Sequence, residues 1–396
     1  MYRSGFEFRR HFSHGLFPLF GITRREWLLS AGCISLAACA RRVGSGFNGY
    51  ALVATSGEHS VAIADLSNFR LLREVPLGGS PVSIRAGIES NYVLTPSTGS
   101  VHAIGPELKC TASRKLSDEL CAIDLARGVN RLFTLAAAGQ LIEVDPRTLA
   151  PKHRWKLAAE PAGLAVAADG SVAVSNRKTG SIEFFRAGDA QPARTNLGGA
   201  IGEIAFRKDG KLLLVANYHE QAITALDIPS LQVVAHLPLA MQPENFCFNS
   251  DGGQLFVTGP GMDGIAIAFP YLPFEIEQTV LAGRDPGAMA CSENPAYLLV
   301  ASASGSDVFI LNIEDRKVLG IVEVGQKPSF ITVTPDSQYA LVLNESSGDM
   351  AVIRIPSIQQ RLGNPATMRG KSAAALFTML PVGSKPVHAV VIPKPA

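Results

Sequence analysis

Three histidines offer the clearest coordination chemistry in this chain. His59, His219 and His388 each stand beside a turn-forming stretch, and a neutral imidazole is the commonest protein ligand for a transition metal. A facing pair plus a third could clasp a metal or a haem iron. Their spacing matches no local metal motif, so the plainer reading is three solvated rim histidines. Glu203 and Glu244 form a second set, two carboxylates at nearly equivalent places one repeat apart. Such a pair could work as acid and base or hold a cation; solvated rim carboxylates are the plainer alternative. Lys327 and Lys385 recur in Gly-x-Lys-Pro, with Arg284 in the corresponding place one unit earlier. They suggest a modest positive arc that could steer a carboxylate or phosphate, although Gly-x-x-Pro is also ordinary turn chemistry. Nucleophilic catalysis has no foothold, for the chain lacks Gly-x-Ser-x-Gly, His-Glu-x-x-His and a phosphate-binding glycine loop. The sequence therefore assigns no catalytic residue, no metal and no cofactor.

The elements that must position these side chains are short. Residues 297–338 read as four apolar, β-branched runs separated by turns, none long enough for a helix. The unit recurs with strand starts near Tyr50, Tyr92, Arg131, Ser171, Leu212, Gln254, Tyr297 and Tyr339, a period of about 41 residues that marks a propeller blade. With the strands of a blade lettered A to D from the centre outward, A strands begin near Pro81, Leu120, Pro161, Ile201, Pro243, Pro286, Pro328 and Pro386. The reading is an all-β propeller of four-stranded blades, eight favoured and seven the alternative, because Glu89-Ser90-Asn91 and Pro96 make the second repeat weak. The chain opens with a B strand and ends with an A strand, so residues 386–393 should pair with the first blade and close the ring. Asp169-Gly170, Asp209-Gly210 and Asp251-Gly252 supply A-to-B hairpin turns. The D-to-A and B-to-C loops, which carry all the candidate residues, gather at one face around the channel.

Residues 1–46 read as an address label and short linker, 47–396 as one propeller domain, and 356–375 as a loop insertion in the last blade. Arg24-Arg25 precedes an apolar run from Trp27 to Ala38, the length of a signal-peptide core and too short to span a bilayer. Removing the five basic and two acidic residues of 1–38 leaves 31 Lys+Arg against 32 Asp+Glu, with no basic footprint for nucleic acid. Of the cysteines beyond Cys39, Cys247 and Cys291 fall at offsets four and five of their A strands. Their side chains therefore face opposite ways, and buried free thiols are the expectation for Cys110, Cys121, Cys247 and Cys291. Phe269-Pro-Tyr-Leu-Pro-Phe274 reads as packing, or as an exposed apolar tip for a partner.

The pattern Pro-x-x-Ile-x-Val-x-Pro-Asp, then Tyr-x-Leu-Val-x-Asn/Ser, clearest in 328–344, 201–217 and 161–176, resembles the YVTN-repeat propellers of the YncE-like family over residues 50–396. Thr23-Arg24-Arg25 resembles a twin-arginine export signal, and Leu36-Ala37-Ala38-Cys39 a lipobox. These resemblances imply a lipoprotein anchored through Cys39 in the periplasm or cell envelope, on the outer membrane if the cell is Gram-negative. An ordinary cleaved signal, or an apolar stretch with no targeting role, is the alternative. The functional expectation is a binding scaffold for an envelope protein or a small ligand, anions included, at the loop face. The alternative is a lactonase-like or haem d1-related enzyme or cofactor-binding protein; a purely structural envelope component is the third.

Overall fold

The computed structural model describes residues 46–395 apart from 159, 272 and 359–374. Arg24, Arg25, Cys39 and nearly all of the 356–375 insertion lie outside the described residues. Gly46–Ala396 forms one compact unit. Eight antiparallel four-stranded sheets follow one another along it. The inner strands are Pro386–Pro393 in blade 1, then Ser83–Ala86, Leu120–Ala126, Pro161–Val166, Ile201–Phe206, Asn245–Phe248, Pro286–Cys291 and Pro328–Val333 in blades 2 to 8.

Burial explains why the middle strands are apolar on both sides. Leu212–Asn217, Tyr297–Ser302 and Tyr339–Asn344 are buried at every residue, because each face of a blade packs on a neighbouring blade. A strand covered on both faces reads as a continuous apolar run instead of an alternating one. The outermost strands, such as Cys110–Lys115 and Pro151–Lys156, are mostly exposed and accordingly polar. Between blades 7 and 8, Leu299 and Ile310 meet Ile331, Val342 and Ile353. Each such side chain contributes about 1.5–3 kcal/mol on burial.

Turn chemistry sets the register. Gly170, Gly210 and Gly252 all take positive φ, and the preceding Asp169, Asp209 and Asp251 accept the N–H two residues on at 2.8, 3.0 and 2.6 Å. An Asx turn of this kind leaves the following strand in phase. The polar residues that end the B strands are buried for a similar reason. Thr55 donates to Ser60 O at 2.8 Å, and Thr258 reaches Gly287 O of the next blade at 2.8 Å.

The ring has eight blades, and its last strand closes it. Gly49 pairs with Pro393 and Ala54 with His388, antiparallel. Phe69 of blade 1 meets Tyr339 and Phe377 of blade 8 at 5.0 and 5.1 Å between ring centroids, tying the seam. The second repeat is a full blade: Pro96 does not break Asn91–Thr95 but opens a one-turn 3-10 segment after it, where the missing N–H is harmless.

Two sequence expectations need correction. Cys110 and Cys121 are exposed, not buried. Cys247 and Cys291 do point opposite ways, but from neighbouring blades this turns them toward each other, Sγ to Sγ at 3.5 Å. The aromatic stretch at 269–274 does expose Phe269 and Tyr271, as a tip would, but it is tied to the ring. Arg207 lies over the Tyr271 ring at 4.5 Å and donates to Pro270 O at 2.8 Å, folding the turn back onto blade 5.

Candidate functional site

The third residues Phe330, His388 and Arg85 and the fifth residue Asp124 of their inner strands each reach the next blade. Blades 1 to 3 carry the polar ones, His388, Arg85 and Asp124. The Arg85 guanidinium joins them. Its Nε donates to Asp124 Oδ1 at 3.1 Å, and its Nη1 to Ser83 Oγ at 2.8 Å, Ile84 O at 3.3 Å and His388 Nε2 at 3.3 Å. Asp124 Oδ2 accepts the Val166 N–H of blade 4 at 3.0 Å. On the other side, the Phe330 ring of blade 8 stacks on His388 with centroids 4.3 Å apart. One continuous arc thus runs around the channel wall across five blades. It also descends. His388 pairs with Ala54, next to last in its neighbouring strand, whereas Arg85 and Asp124 pair with Tyr92 and Phe133, two residues deeper.

Electrostatics fixes the protonation of the arc. Burial and the adjacent Arg85 push the His388 imidazole down to about 3, so it is neutral at pH 7. Arginine has only donors, so Nε2 must accept and the proton sits on Nδ1. That Nδ1 is buried and has no hydrogen-bond partner among the described residues. Leaving such a group unsatisfied costs about 1–3 kcal/mol. Glu203, on the inner strand of blade 5, is wetted from the channel but enclosed on its other sides. Burial pushes its carboxyl above the ordinary range, Asp124 adds to the push, and Arg85 opposes it. Arg85 and Asp124 compensate each other, which leaves Glu203 as the wall's uncompensated carboxyl.

Blades 4 to 6 furnish the mouth. Arg177 lies 5.4 Å from the centre of the Tyr218 ring, and that ring is seated on Gly202, where an added Cβ would come within 2.1 Å of it. The Tyr218 phenol is raised by burial, with Glu244 and Glu203 adding to the rise and Arg177 working against it. Glu203 and Glu244 therefore share Tyr218 as a neighbour.

The remaining sequence candidates stay at the rim. His59 and His219 are exposed, on blades 1 and 5, opposite each other in the ring. Arg284 and Lys385 are exposed too, and Lys327 is paired with Glu345 at 2.8 Å, so the expected positive arc is partly neutralised. Lys327 and Lys385 hold left-handed backbone before their prolines, φ 55° and 51°. No group of three or more metal-ligating side chains occurs among the described residues. Sequence reasoning missed Arg85 and Asp124. Four residues after the start of the A strand, those two carry opposite charges on consecutive blades, while the other blades have Ala165, Ala205, Cys247, Ala290, Thr332 and Val390 there. That break in the repeat was the available signal.

No protein-family profile matches the chain, and no curated protein shows significant sequence similarity to it. Solved structures do match in fold. Dihydro-heme d1 dehydrogenase NirN in complex with DHE superimposes with a TM-score of 0.72 at 14% identity, over 88% of this chain and 76% of that one. Hydrazine synthase of Kuenenia stuttgartiensis superimposes with a TM-score of 0.54 at 15% identity, over 68% of this chain and 94% of that one. At such identities the likeness establishes the eight-bladed fold and nothing further.

Proposed function

We propose that this chain is a binding propeller whose channel takes a small polar molecule, without chemistry of its own. The observation that carries the reading is the partly exposed Arg85–Asp124 pair of the channel wall, 3.1 Å apart, beside a Glu203 carboxyl that burial raises. The matching ligand presents an acceptor to the Arg85 guanidinium and a donor to the Glu203 carboxyl. Tyr218, Arg177 and Glu244 would meet it at the mouth, and His59, His219, Arg284, Lys327 and Lys385 at the outer rim. We read the repeats as YVTN-type and YncE-like on the strength of their Pro-x-x-Ile-x-Val and Tyr-x-Leu-Val recurrences. We place the protein in the envelope through Arg24-Arg25 and Cys39. The export proposal predicts that Cys39→Ala moves the protein from the membrane to the soluble fraction; an unchanged membrane fraction overturns lipidation.

Native mass spectrometry of the full chain from its own cell fraction tests the ligand reading. A bound small organic mass is expected in the wild type. Arg85 is the contact residue here, because its partly exposed guanidinium is the donor offered to the channel. Arg85→Leu should therefore weaken retention of that mass about 10- to 100-fold, the worth of a hydrogen bond to a charged group, and Arg85→Lys should restore only part of it. A bare mass in the wild type, or equal retention in Arg85→Leu, overturns the reading.

A second reading, a cofactor-binding or enzymatic propeller, is favoured by the fold shared with NirN. The described residues do not suit an iron. His388 offers no lone pair, since Nε2 is tied to Arg85 and Nδ1 is protonated, and His59 and His219 stand on opposite blades. An absorption spectrum distinguishes the two, because a visible chromophore in the purified protein would displace the scaffold reading.

A further inference from the structure

Cys247 and Cys291 sit on the inner strands of blades 6 and 7, Asn245–Phe248 and Pro286–Cys291. Each thiol is partly buried, and the sulfurs are 3.5 Å apart across the gap between blades. They are bedded against Met289, Val280 and Phe309; besides each other, their one further polar contact among the described residues is Cys247 Sγ to Phe248 O at 3.7 Å. We propose that these two cysteines form a redox-controlled inter-blade disulfide, made by exchange with a small-molecule disulfide such as oxidised glutathione.

The geometry suits closure. A disulfide needs its sulfurs near 2 Å, and these start at 3.5 Å, so closure asks for an approach of only about 1.5 Å between the two sulfurs. The exchange balances in two steps. Cys247 thiolate attacks one sulfur of the glutathione disulfide, forming a mixed disulfide and releasing one glutathione thiolate. Cys291, deprotonated, then attacks the Cys247 sulfur, forming the Cys247–Cys291 bond and releasing the second glutathione as thiol. The protein loses two electrons and two protons, and the glutathione disulfide gains them. Attack begins at Cys247 because its hydrogen bond and burial push the Cys291 thiol well up, and the thiolate is the nucleophile. Cys110 and Cys121, both exposed and each bonded to backbone carbonyl, have no such neighbour among the described residues and serve as internal controls. The bond would join two inner strands of the ring, so channel stiffness would follow the redox state of the surroundings.

Peptide mapping of the full-length protein after incubation with excess oxidised glutathione tests the proposal. The expected product is one cross-linked peptide joining Cys247 to Cys291, two hydrogens lighter than its reduced parts. Cys291→Ser should accumulate a glutathione adduct on Cys247 that persists at least about tenfold longer than in the wild type, where the second thiol resolves it intramolecularly. The wild-type map decides even if that variant folds poorly. Separate glutathione adducts on Cys247 and Cys291, or both thiols remaining alkylatable while Cys110 has reacted, would overturn the proposal.

Discussion

Deletion of residues 386–395 is expected to abolish the cooperative native state, although it removes only a single strand. Those residues are the inner strand of blade 1, paired from Gly49–Pro393 to Ala54–His388. Without them Gly49–Thr55 becomes an open edge, and Ala51, Leu52, Val53 and Ala54, now wholly buried, face water or another chain. An unpaired apolar edge is an aggregation template, and the seam loses cover on both sides because repeat units are stable only through their neighbours. The measurement is the soluble fraction and the thermal transition. A fall in soluble yield of roughly tenfold or more is expected from the stability of a single domain, about 5–15 kcal/mol. A permutant separates loss of closure from loss of mass. Lys394 N–H already bonds Asn48 O at 3.1 Å, so carrying 386–395 in front of residue 46 through a short linker should restore the fold. A deletion that melts like the wild type would refute closure as the source of stability.

Acidification should destabilise the protein between about pH 6.5 and pH 3, and His388 should be the main reason. Its folded pKa is depressed to about 3 from an unfolded value near 6.5. In that window the unfolded chain binds the extra proton and the folded chain does not, so stability is present above pH 6.5 and is lost as pH falls toward 3. The upper limit is roughly 5 kcal/mol at 1.36 kcal/mol per unit, and about 2–3 kcal/mol once channel water screens it. Glu203 acts with the opposite sign. Its folded pKa is raised, so stability falls as pH rises past the ordinary glutamate range. Chemical denaturation across pH 3.5–7.5 checks both. His388→Gln, which keeps an acceptor for Arg85 but does not titrate, should flatten the rising limb; Glu203→Gln should remove only the opposing one. An unchanged slope in His388→Gln would contradict the neutral, buried imidazole.

Most of the ring was legible in the chain, because the period is enforced locally. Asp169-Gly170 and its counterparts dictate hairpins by backbone chemistry alone, and continuous apolar runs such as Leu212–Val215 announce strands covered on both faces. The site was legible only in part. His388 and Glu203 lie near the ends of strands, where turn residues mark the loop face. Arg85 and Asp124 lie inside strands, where alternation says which way a side chain leans but not what it meets across a blade boundary. The cysteines show the same limit. Their opposite parity was read correctly, but parity within a blade becomes contact only when the next blade is placed beside it. Rim charges such as Lys327 misled for the converse reason, since its partner Glu345 belongs to the neighbouring B-to-C turn, which a local motif does not contain.

The mutual compensation of Arg85 and Asp124 has a consequence for working conditions. A site that draws its ligand by net charge loses affinity as salt rises, because screening lengths shrink from about 30 Å at 0.01 M to about 8 Å at 0.15 M. This channel presents a guanidinium and a carboxylate 3.1 Å apart, a distance shorter than any of those lengths, and a neutral imidazole beside them. The field of this pair is thus closed on itself and nearly indifferent to the ionic strength outside, whereas the Glu203 carboxyl near it is left uncompensated. On the proposed reading, a guest held by that pair should keep its affinity as salt rises.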